Sequence, residues 1–594
     1  MAKLTDYLAR AVQASGIDAV HTVTGGAVVH ILDSLNQVGI RVICYHNEQA
    51  AALGAVGETK YTKAPSLCVV TTGPGGTNAL TGLAAAWLDS VPVIFISGQA
   101  RFEHLSVHTG VRQVGTQELN IVAPAATMSK FAETLKAPHD LPRLIGRAVH
   151  EVQSGRPGPV WLDIPLDFQW FEFDEVNAPV HPPTSTKCAD TGEDFKGYLR
   201  AFAKAVRPAF LMGGGISVSA RQRMAETLEK LGLPYALTYT GLERVDRRSS
   251  RCNMGVAGIA GSREANSVLN NSDFVTIVGS HVPVPLTGAR IESWCRGAVK
   301  SMVNIDPIEL ENSRVHLDYK LEMDSAQFVE EMVQVFASHH LNIDPEWLEF
   351  TRELSHFREP RETASPPYVD LYSFVDVLST CLRPDDVVVV DGGGTINAAA
   401  FVSLRPYAST PIIMSSGLCA MGSGIPEMVG AFVGARDVDR SYLLLVGDGS
   451  LQFNIQELNT VQAHNIPARI FVFNNDGYSS IRNTQSQFLN QRFLGVSPKD
   501  NLWFPSLKDV AKTFGFSYEQ LNSGNFSHET VGHLLRATSP PILVEVVTDP
   551  RQKMGPSQAF IEQGQGRFVA RSLATMSPAL DASTMSRLAK WVVE

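Results

Sequence analysis

The 594-residue sequence has few cysteines, no basic block and no long apolar run, and each absence excludes a class of protein. Its seven cysteines are odd in number, widely spaced and without a CxxC pair, so we expect reduced thiols in a cytoplasmic protein. No run of 18 unbroken apolar residues occurs, which argues against a membrane span. The net charge is −10 with scattered Lys and Arg, so neither nucleic acid nor an anionic membrane is expected as the main partner. A small anionic ligand stays open, because backbone amides and a metal ion can hold phosphate.

What is present is an ordinary globular composition, with 44% hydrophobic and 19% charged residues. The length fits three domains best. The first 16 residues predict an amphipathic helix rather than a secretory signal, because no basic segment is followed by an apolar one.

Short apolar runs alternate with helical patterns along the chain. Many of these runs are apolar on both faces, which is typical of parallel strands covered by helices, so several α/β units are expected. The predicted strands span 67–72, 91–97, 159–164, 208–212, 274–279, 386–390, 441–446, 469–473 and 541–547.

Two polar, proline-rich stretches read as linkers, at 178–194 and 357–368. They divide the chain into domains at 1–178, 192–345 and 366–550. A tail at 551–594 lacks strong strand signals and is a candidate lid. No short-period repeat is visible.

The strongest chemical signal is a pair of polar turns after two predicted strands. Gly447-Asp448-Gly449 follows SYLLLV, and Asn474-Asn475-Asp476-Gly477 follows RIFVF. A carboxylate and an amide oxygen at adjacent strand ends can chelate Mg²⁺, which shares its ligands with phosphate, and glycines allow close approach. Either turn alone would be read as a plain turn, but the pairing favours a metal–diphosphate site.

This pair of turns resembles the diphosphate-binding motif of thiamine diphosphate (ThDP) enzymes. The resemblance implies that Asp448, the Asn475 side chain and the Gly477 carbonyl bind Mg²⁺, with Asn474 structural. It implies also that the flanking positions Gly447, Gly449 and Ser450 contact the cofactor. The fold expected from the resemblance is three Rossmann-like, doubly wound parallel-sheet domains, named pyrimidine, middle and diphosphate.

The family also needs a glutamate that contacts the cofactor's aminopyrimidine. Glu48 stands at the expected place in YHNEQAA, after RVIC. The resemblance makes it the group that promotes loss of the thiazolium C2 proton. Alone, Glu48 would be read as an acid at a helix start, which the helix dipole stabilises. Gln117 is carried over as an active-site side chain.

Three further loops match cofactor loops of the family. GPGGTN implicates Gly73, Pro74, Gly75 and Asn78; DGGGT implicates Gly394, Thr395 and Ile396; GLCAMGSG implicates Cys419 and Met421. Met421 would be the apolar wedge that bends the cofactor, the alternative being a core methionine. Cys419 stands where related synthases usually carry glycine, and a backbone contact can survive that change.

The chain as a whole looks like the acetohydroxyacid synthase group, through TTGPGGTNALTGLAAAWLDSVPVIFISGQ and SGRPGPVWLDIPLD. Members typically decarboxylate pyruvate and transfer the two-carbon unit to a second carbonyl, in homodimers or homotetramers whose sites lie between subunits. The middle domain resembles the FAD-binding version, with a non-redox flavin held near Thr238, Asp306 and the glycine triplet Gly213, Gly214 and Gly215. His281 replaces the usual arginine there, and a plain spacer domain without FAD is the alternative.

Acceptor specificity is where the chain departs most from the group. The expected arginine is Pro285, the expected tryptophan is Thr484, and the phenylalanine before Gln117 is Thr116. Loss of the guanidinium removes a bidentate carboxylate clamp, so an acceptor without a carboxylate is expected. The combination looks like carboligases that add acetyl to nucleotide-linked keto-sugars in yersiniose-type pathways. The rival readings are an acetolactate synthase, a pyruvate oxidase and a non-catalytic ThDP-binding scaffold.

His104 and His108 have the spacing of metal ligands on a helix. The neighbouring glycine and proline argue against a helix, so both are interpreted as loop residues.

Overall fold

The computed structural model describes residues 2–173, 192–361, 364–536, 541–564 and 567–593. The linker predicted at 178–194 falls outside these ranges up to residue 191, and so does Cys188. The described residues form three six-stranded parallel sheets with helices on both faces, so the predicted fold class is confirmed. Across these ranges, no helix is both long and apolar enough to cross a membrane.

The N-terminal domain is built on a sheet of order β3-β2-β4-β5-β7-β6. Its strands are β1 Ala2–Lys3, β2 Ala19–Thr22, β3 Arg41–Cys44, β4 Ser66–Val70, β5 Val93–Gln99, β6 Ala132–Thr134, β7 Val160–Pro165 and β8 Glu172–Phe173. Its helices are α1 Leu4–Ala14, α2 Val29–Gln37, α3 Glu48–Thr62, α4 Pro74–Leu88, α5 Val122–Ala125, α6 Leu141–Glu151 and α7 Leu166–Gln169. The helix predicted near the N-terminus is α1, which buries its apolar face.

The middle domain has a sheet of order β11-β10-β9-β12-β13-β14. Its strands are β9 Pro208–Met212, β10 Tyr235–Leu237, β11 Asn253–Val256, β12 Phe274–Val278, β13 Val299–Asn304 and β14 Tyr319–Glu322. Its helices are α8 Gly192–Phe202, α9 Val218–Leu231, α10 Arg263–Asn271, α11 Val284–Thr287, α12 Pro307–Glu311, α13 Ser325–Ser338 and α14 Pro345–His356. The buried Trp347 joins α14 to this domain's core, so the domain continues beyond residue 345.

The third domain has a sheet of order β16-β15-β17-β18-β20-β19. Its strands are β15 Val387–Val390, β16 Ile412–Met414, β17 Tyr442–Gly447, β18 Ala468–Asn474, β19 Ser517–Leu521 and β20 Ile542–Val547. Its helices are α15 Leu371–Cys381, α16 Gly394–Ser403, α17 Gly424–Ala435, α18 Asp448–Leu451, α19 Leu458–Ala463, α20 Ser479–Phe488, α21 Leu507–Thr513 and α22 His528–Arg536.

The C-terminal tail returns to the middle domain. It contains a short antiparallel pair, β21 Phe560–Glu562 and β22 Phe568–Ala570, and the helix α23 Ala582–Leu588. Trp591 packs edge-on against Trp347, and Leu573 and Leu588 are buried in the middle-domain core.

Helices α3 and α17 join the first and third domains within the chain, and small residues let their backbones touch. A Cβ on Gly430 would lie 1.9 Å from the Gly54 carbonyl oxygen, and one on Gly57 would lie 2.3 Å from that of Glu427. Any side chain at these glycines would push the helices apart. The two domains that carry the predicted cofactor residues therefore have a fixed contact.

Candidate active site

The metal-binding turns predicted from the sequence lie at a switch point of the third sheet. The chain leaves β15 toward β16 on one side, whereas it leaves β17 toward β18 on the other. Ligands of open α/β sheets bind in the crevice that such a reversal opens at the carboxyl ends of the strands. Asp448 and Asn475 follow β17 and β18 at this edge.

Asp448 is a buried carboxylate held by backbone N–H groups. Its side chain is buried, with the residue only 4% exposed, and it accepts hydrogen bonds from the backbone N–H groups of Gly449 (2.8 Å) and Gly477 (2.9 Å). Burial raises the pKa of Asp448 to about 7, against the lowering effect of the backbone N–H groups. A cation beside the carboxylate would offset this burial.

The Asn475 side chain presents an unpaired oxygen. Asn475 is 8% exposed, and its Oδ1 is buried without a hydrogen-bond partner among the described residues. A buried oxygen without a partner is unfavourable unless a ligand binds it. An amide oxygen and a carboxylate on adjacent strand ends are the donor types that Mg²⁺ prefers, so this pair fits the metal.

Position 477 accepts only a residue without a side chain. Its φ is 123°, and a Cβ would lie 2.1 Å from the Val496 carbonyl oxygen. Asn474, by contrast, faces the sheet, where its Nδ2 donates to Glu545 Oε1 at 2.6 Å.

Arg482 is a site residue that motif reading missed. From α20 its guanidinium donates to the carbonyl oxygens of Asn475 (3.0 Å), Asp476 and Val496, and to that of Pro550 (2.7 Å). These hydrogen bonds fix the backbone of the predicted metal-binding turn. No motif marks Arg482, because its partners are backbone carbonyls, two of which, those of Val496 and Pro550, lie in later segments of the chain.

The predicted diphosphate loops converge on the same crevice. Gly394, Thr395 and Ile396 form the first turn of α16, where backbone N–H groups lack helical partners and can bind phosphate. The Oγ1 of Thr395 shares a 2.8 Å hydrogen bond with the Oγ of Ser479. The Ile396 side chain is buried in the core, so only its backbone is free to face a ligand.

The Gly447–Ser450 turn lies beside this loop. A Cβ on Gly447 would meet nothing within 4 Å, which leaves open space at the crevice, whereas one on Gly449 would lie 2.4 Å from the Tyr478 ring. The Oγ of Ser450 lies 3.7 Å from the Cβ position of Gly393.

Asp391 holds the C-terminal end of the loop of residues 415–424. This buried carboxylate accepts hydrogen bonds from the N–H groups of Gly424 (2.7 Å) and Gly422 (3.3 Å). Cys419 has φ 53° and sends its thiol toward the Gly392 carbonyl oxygen at 3.1 Å, and burial raises its pKa to about 11. Met421 is only half-buried, unlike a core methionine.

Glu48 begins α3, and Asn47 caps the helix by accepting from the Gln49 N–H at 2.8 Å. The Nδ2 of Asn78 donates to Glu48 Oε2 at 2.9 Å. A Cβ on Gly75 would lie 3.6 Å from Glu48 Oε1. The half-buried Glu48 therefore lies beside the predicted GPGGTN loop.

Gln117 joins the same loop from the other side. Both Gln117 (φ 57°) and Gly73 (φ 65°) have left-handed backbones, and a Cβ on Gly73 would lie 2.4 Å from the Gln117 carbonyl oxygen. Pro74, next to Gly73, is exposed at the first position of α4. His104 and His108 lie in short 3-10 turns rather than an α-helix, and His108 packs on Phe102.

The middle-domain residues lie at that domain's own switch point, between β9 and β12. A Cβ on Gly213 would lie 2.2 Å from the Gly279 carbonyl oxygen, whereas Gly214 and Gly215 are exposed. Thr238 is buried near Thr240. The Asp306 carboxylate accepts from the Ile308 N–H (3.0 Å) and pairs with Arg156 of the first domain (3.2 Å).

The three positions predicted to face the acceptor carry no charge and are exposed. Thr116, Pro285 and Thr484 are all exposed. The Pro285 carbonyl oxygen accepts from the Ile259 N–H at 2.8 Å, and Thr484 bonds back to the Ser480 carbonyl on its own helix.

Three family models match this chain in order. They are the N-terminal TPP binding domain of thiamine pyrophosphate enzymes at 2–123, the central domain at 196–332 and the C-terminal TPP binding domain at 392–546. The chain belongs to the thiamine pyrophosphate enzymes, and within them it is an enzyme of the acetolactate synthase type.

The relatives that the chain matches over most of its length are acetolactate synthases. The acetolactate synthase isozyme 1 large subunit of Escherichia coli is 27% identical over 93% of this chain and 95% of its own length. The acetolactate synthase of Arthrospira platensis is 29% identical over 90% of this chain and 92% of its own length. The acetolactate synthase large subunit of Lactococcus lactis is 27% identical over 91% of this chain and 92% of its own length.

Proposed function

We propose that the protein decarboxylates pyruvate and transfers the resulting two-carbon unit to a ketone, giving a 2-hydroxy ketone. The natural acceptor in this proposal is a nucleotide-linked keto-sugar, and the setting is the cytoplasm. The observation that carries the proposal is the buried, unpartnered Asn475 Oδ1 beside Asp448, at the switch point where the diphosphate loops meet. The names of the relatives supply the donor, since acetolactate is made from pyruvate.

Mg²⁺ would be held by Asp448, Asn475 and the Gly477 carbonyl. The first-turn amides of α16 and the space beside Gly447 would hold the diphosphate. When bound, ThDP supplies a nucleophilic carbon and an electron sink for the loss of carbon dioxide. The residues present fit both groups.

Glu48 would hold or release a proton at the cofactor's aminopyrimidine. Asn78 orients this carboxylate through its amide, and α3 fixes the backbone beneath it. Gln117, beside Gly73, would position the substrate at the same loop. Met421 and the Cys419 carbonyl would hold the cofactor from the third domain.

The proposal also includes FAD, bound in the middle domain without a redox role. Gly214 and Gly215 are exposed at the switch point, so a ligand would be able to approach their backbone closely. Asp306 fits less well, because its carboxylate is already shared between Arg156 and a helix N–H. The absorbance spectrum of the purified protein decides this point, since bound flavin is yellow.

The acceptor proposal rests on Pro285, Thr484 and Thr116. None of them can clamp a carboxylate as an arginine does, so a 2-keto acid gains no charge-assisted contact there. All three are exposed, which leaves room for a large acceptor.

The test is product analysis with pyruvate, ThDP and Mg²⁺, with and without cyclic ketones or 1,2-diketones. Tertiary alcohols in the presence of ketones are the expected products. Acetolactate alone, unchanged by added ketones, would make the protein an acetolactate synthase. Bleaching of a bound flavin by pyruvate without oxygen would instead favour a pyruvate oxidase, and no pyruvate consumption would leave a non-catalytic binding protein.

A further inference from the structure

We propose that Asp89 is a positioning residue for the loop of residues 415–424, and that Lys60 holds Asp89 in place. The inference rests on the proposed function, because this loop carries Cys419 and Met421, the residues assigned to the cofactor. Asp89 belongs to the N-terminal domain and the loop to the third domain, so the device crosses a domain boundary within one chain.

The Asp89 carboxylate binds the start of the loop. Asp89 follows α4, and its side chain is only 3% exposed. Its Oδ1 accepts from the Gly417 N–H (2.8 Å) and from the Ser416 hydroxyl (3.2 Å), and its Oδ2 accepts from the Ser416 N–H (3.4 Å). Hydrogen bonds to a charged acceptor are stronger than neutral ones, so this end of the loop is held firmly.

Lys60 is saturated by partners from both domains. Its Nζ lies 2.9 Å from Asp89 Oδ2 and 3.0 Å from Glu427 Oε1, and it donates to the Met414 carbonyl at 2.8 Å. An ammonium has three donors, and all three are used. Burial lowers the pKa of Lys60, but Asp89 and Glu427 outweigh it and leave the pKa raised.

Close packing of Gly417 against the end of α4 adds to the charged contacts of Asp89. A Cβ on Gly417 would lie 2.6 Å from Leu88 Cβ and 2.9 Å from Asp89 Oδ1. Only a glycine therefore lets the loop reach the end of α4. The far end of the loop is fixed by Asp391 through Gly422 and Gly424, as described above. Two carboxylates from two domains thus clamp the segment that would touch the cofactor.

A buried ion pair can also serve stability alone, and the chain offers a matched example. The Arg263 and Glu359 side chains are 3% and 5% exposed with 2.8 Å between Nε and Oε2, and Arg263 also donates to the Met576 carbonyl in the tail. Glu359→Gln is therefore the control for a buried pair without a link to the loop.

The experiment measures ThDP affinity in the presence of Mg²⁺, kcat at saturating ThDP, and the circular dichroism of the bound aminopyrimidine. Asp89→Asn, which keeps an acceptor oxygen, is expected to weaken ThDP binding about tenfold, and Asp89→Ala about 100-fold. The dichroism of bound cofactor should change in both, while KM for pyruvate stays within about threefold. Lys60→Arg keeps the positive charge and should lose less ThDP affinity than Lys60→Met, which removes it.

Glu359→Gln should lower the thermal midpoint but leave ThDP affinity within about twofold, because it does not touch the loop. If Asp89→Asn and the milder Ser416→Ala both leave ThDP affinity, kcat and dichroism unchanged, the inference is overturned, even if Asp89→Ala does not fold. Wild-type protein that fails to bind ThDP with Mg²⁺ would instead overturn the proposed function. ThDP binding without pyruvate turnover would leave the affinity comparison decisive for Asp89.

Discussion

At the scale of single residues, the predicted metal-binding turn leaves one buried oxygen, Asn475 Oδ1, without a partner among the described residues. Leaving a buried acceptor unsatisfied costs about 1–3 kcal/mol, which a protein accepts where a ligand restores the bond. Asn475 Oδ1 meets this description, whereas Asn474 beside it is paired with Glu545. The two adjacent asparagines therefore have different tasks.

Asn475→Ala should weaken Mg²⁺-dependent ThDP binding at least about tenfold, because one of the proposed protein ligands is lost. The measurement is a titration of ThDP at several Mg²⁺ concentrations, followed by tryptophan fluorescence. Asp476→Asn is the matched control, since Asp476 is exposed in the same turn and should behave as wild type. Equal affinities in all three proteins would remove Asn475 from the metal site.

At the scale of elements, helix α20 supports the turn through Arg482. Four carbonyl oxygens from three segments converge on one guanidinium, so the helix, the turn after β18 and the chain after β20 move together. Planar, multidentate donation of this kind is specific to arginine.

Arg482→Ala should lower the thermal midpoint and weaken ThDP–Mg²⁺ binding by about tenfold, because hydrogen bonds to a charged donor contribute about 1.5–3 kcal/mol. The thermal midpoint and the ThDP–Mg²⁺ affinity of Arg482→Lys should lie between those of Arg482→Ala and the wild type, since an ammonium cannot reach four acceptors. Arg492→Ala makes the same change at an exposed site nearby and should leave both quantities unaltered. Binding unchanged in Arg482→Ala would show that the turn holds itself.

The elements that could be predicted from the sequence are those with continuous apolar runs. All nine strands predicted from such runs are present, with ends shifted by about two residues or fewer, which is the usual uncertainty of boundaries. Several of the missed strands are short or lie at sheet edges, such as β6 (AET) and β19 (SYEQL), where polar residues interrupt the pattern.

The site divides in the same way. Asp448, Asn475 and Glu48 could be proposed as site residues from the sequence because each lies in a local motif after a strand. Arg482 could not, because its partners are backbone carbonyls, and Asp89 could not, because Lys60, Ser416 and Gly417 meet it only in the folded chain. Long-range contacts with carbonyls and N–H groups leave no local pattern in the sequence.

At the scale of the whole molecule, the two halves of the site lie on domains that α3 and α17 fix against each other. The family resemblance implies that each complete site combines the first domain of one subunit with the third domain of another. We therefore expect a homodimer or homotetramer with shared sites.

This expectation predicts complementation between two inactive variants. Glu48→Gln and Asp448→Asn chains, co-expressed and purified together, should recover about one quarter of wild-type activity, because half of randomly formed dimers hold one intact site of two. Each variant alone should stay inactive. No recovery in confirmed mixed dimers would place Glu48 and Asp448 in the same subunit's site.

The most direct test of the central claim is carbon dioxide release from pyruvate by the wild type and by Glu48→Gln, with ThDP and Mg²⁺. The wild type should release carbon dioxide, and the variant should lose at least about 100-fold in rate, because proton transfer by a positioned side chain contributes about 10²–10⁴-fold. ThDP affinity should stay within a few-fold, and Glu529→Gln, an exposed acid in the first turn of α22, should match the wild type. Full activity of Glu48→Gln, or no carbon dioxide from the ThDP-loaded wild type, would contradict the account.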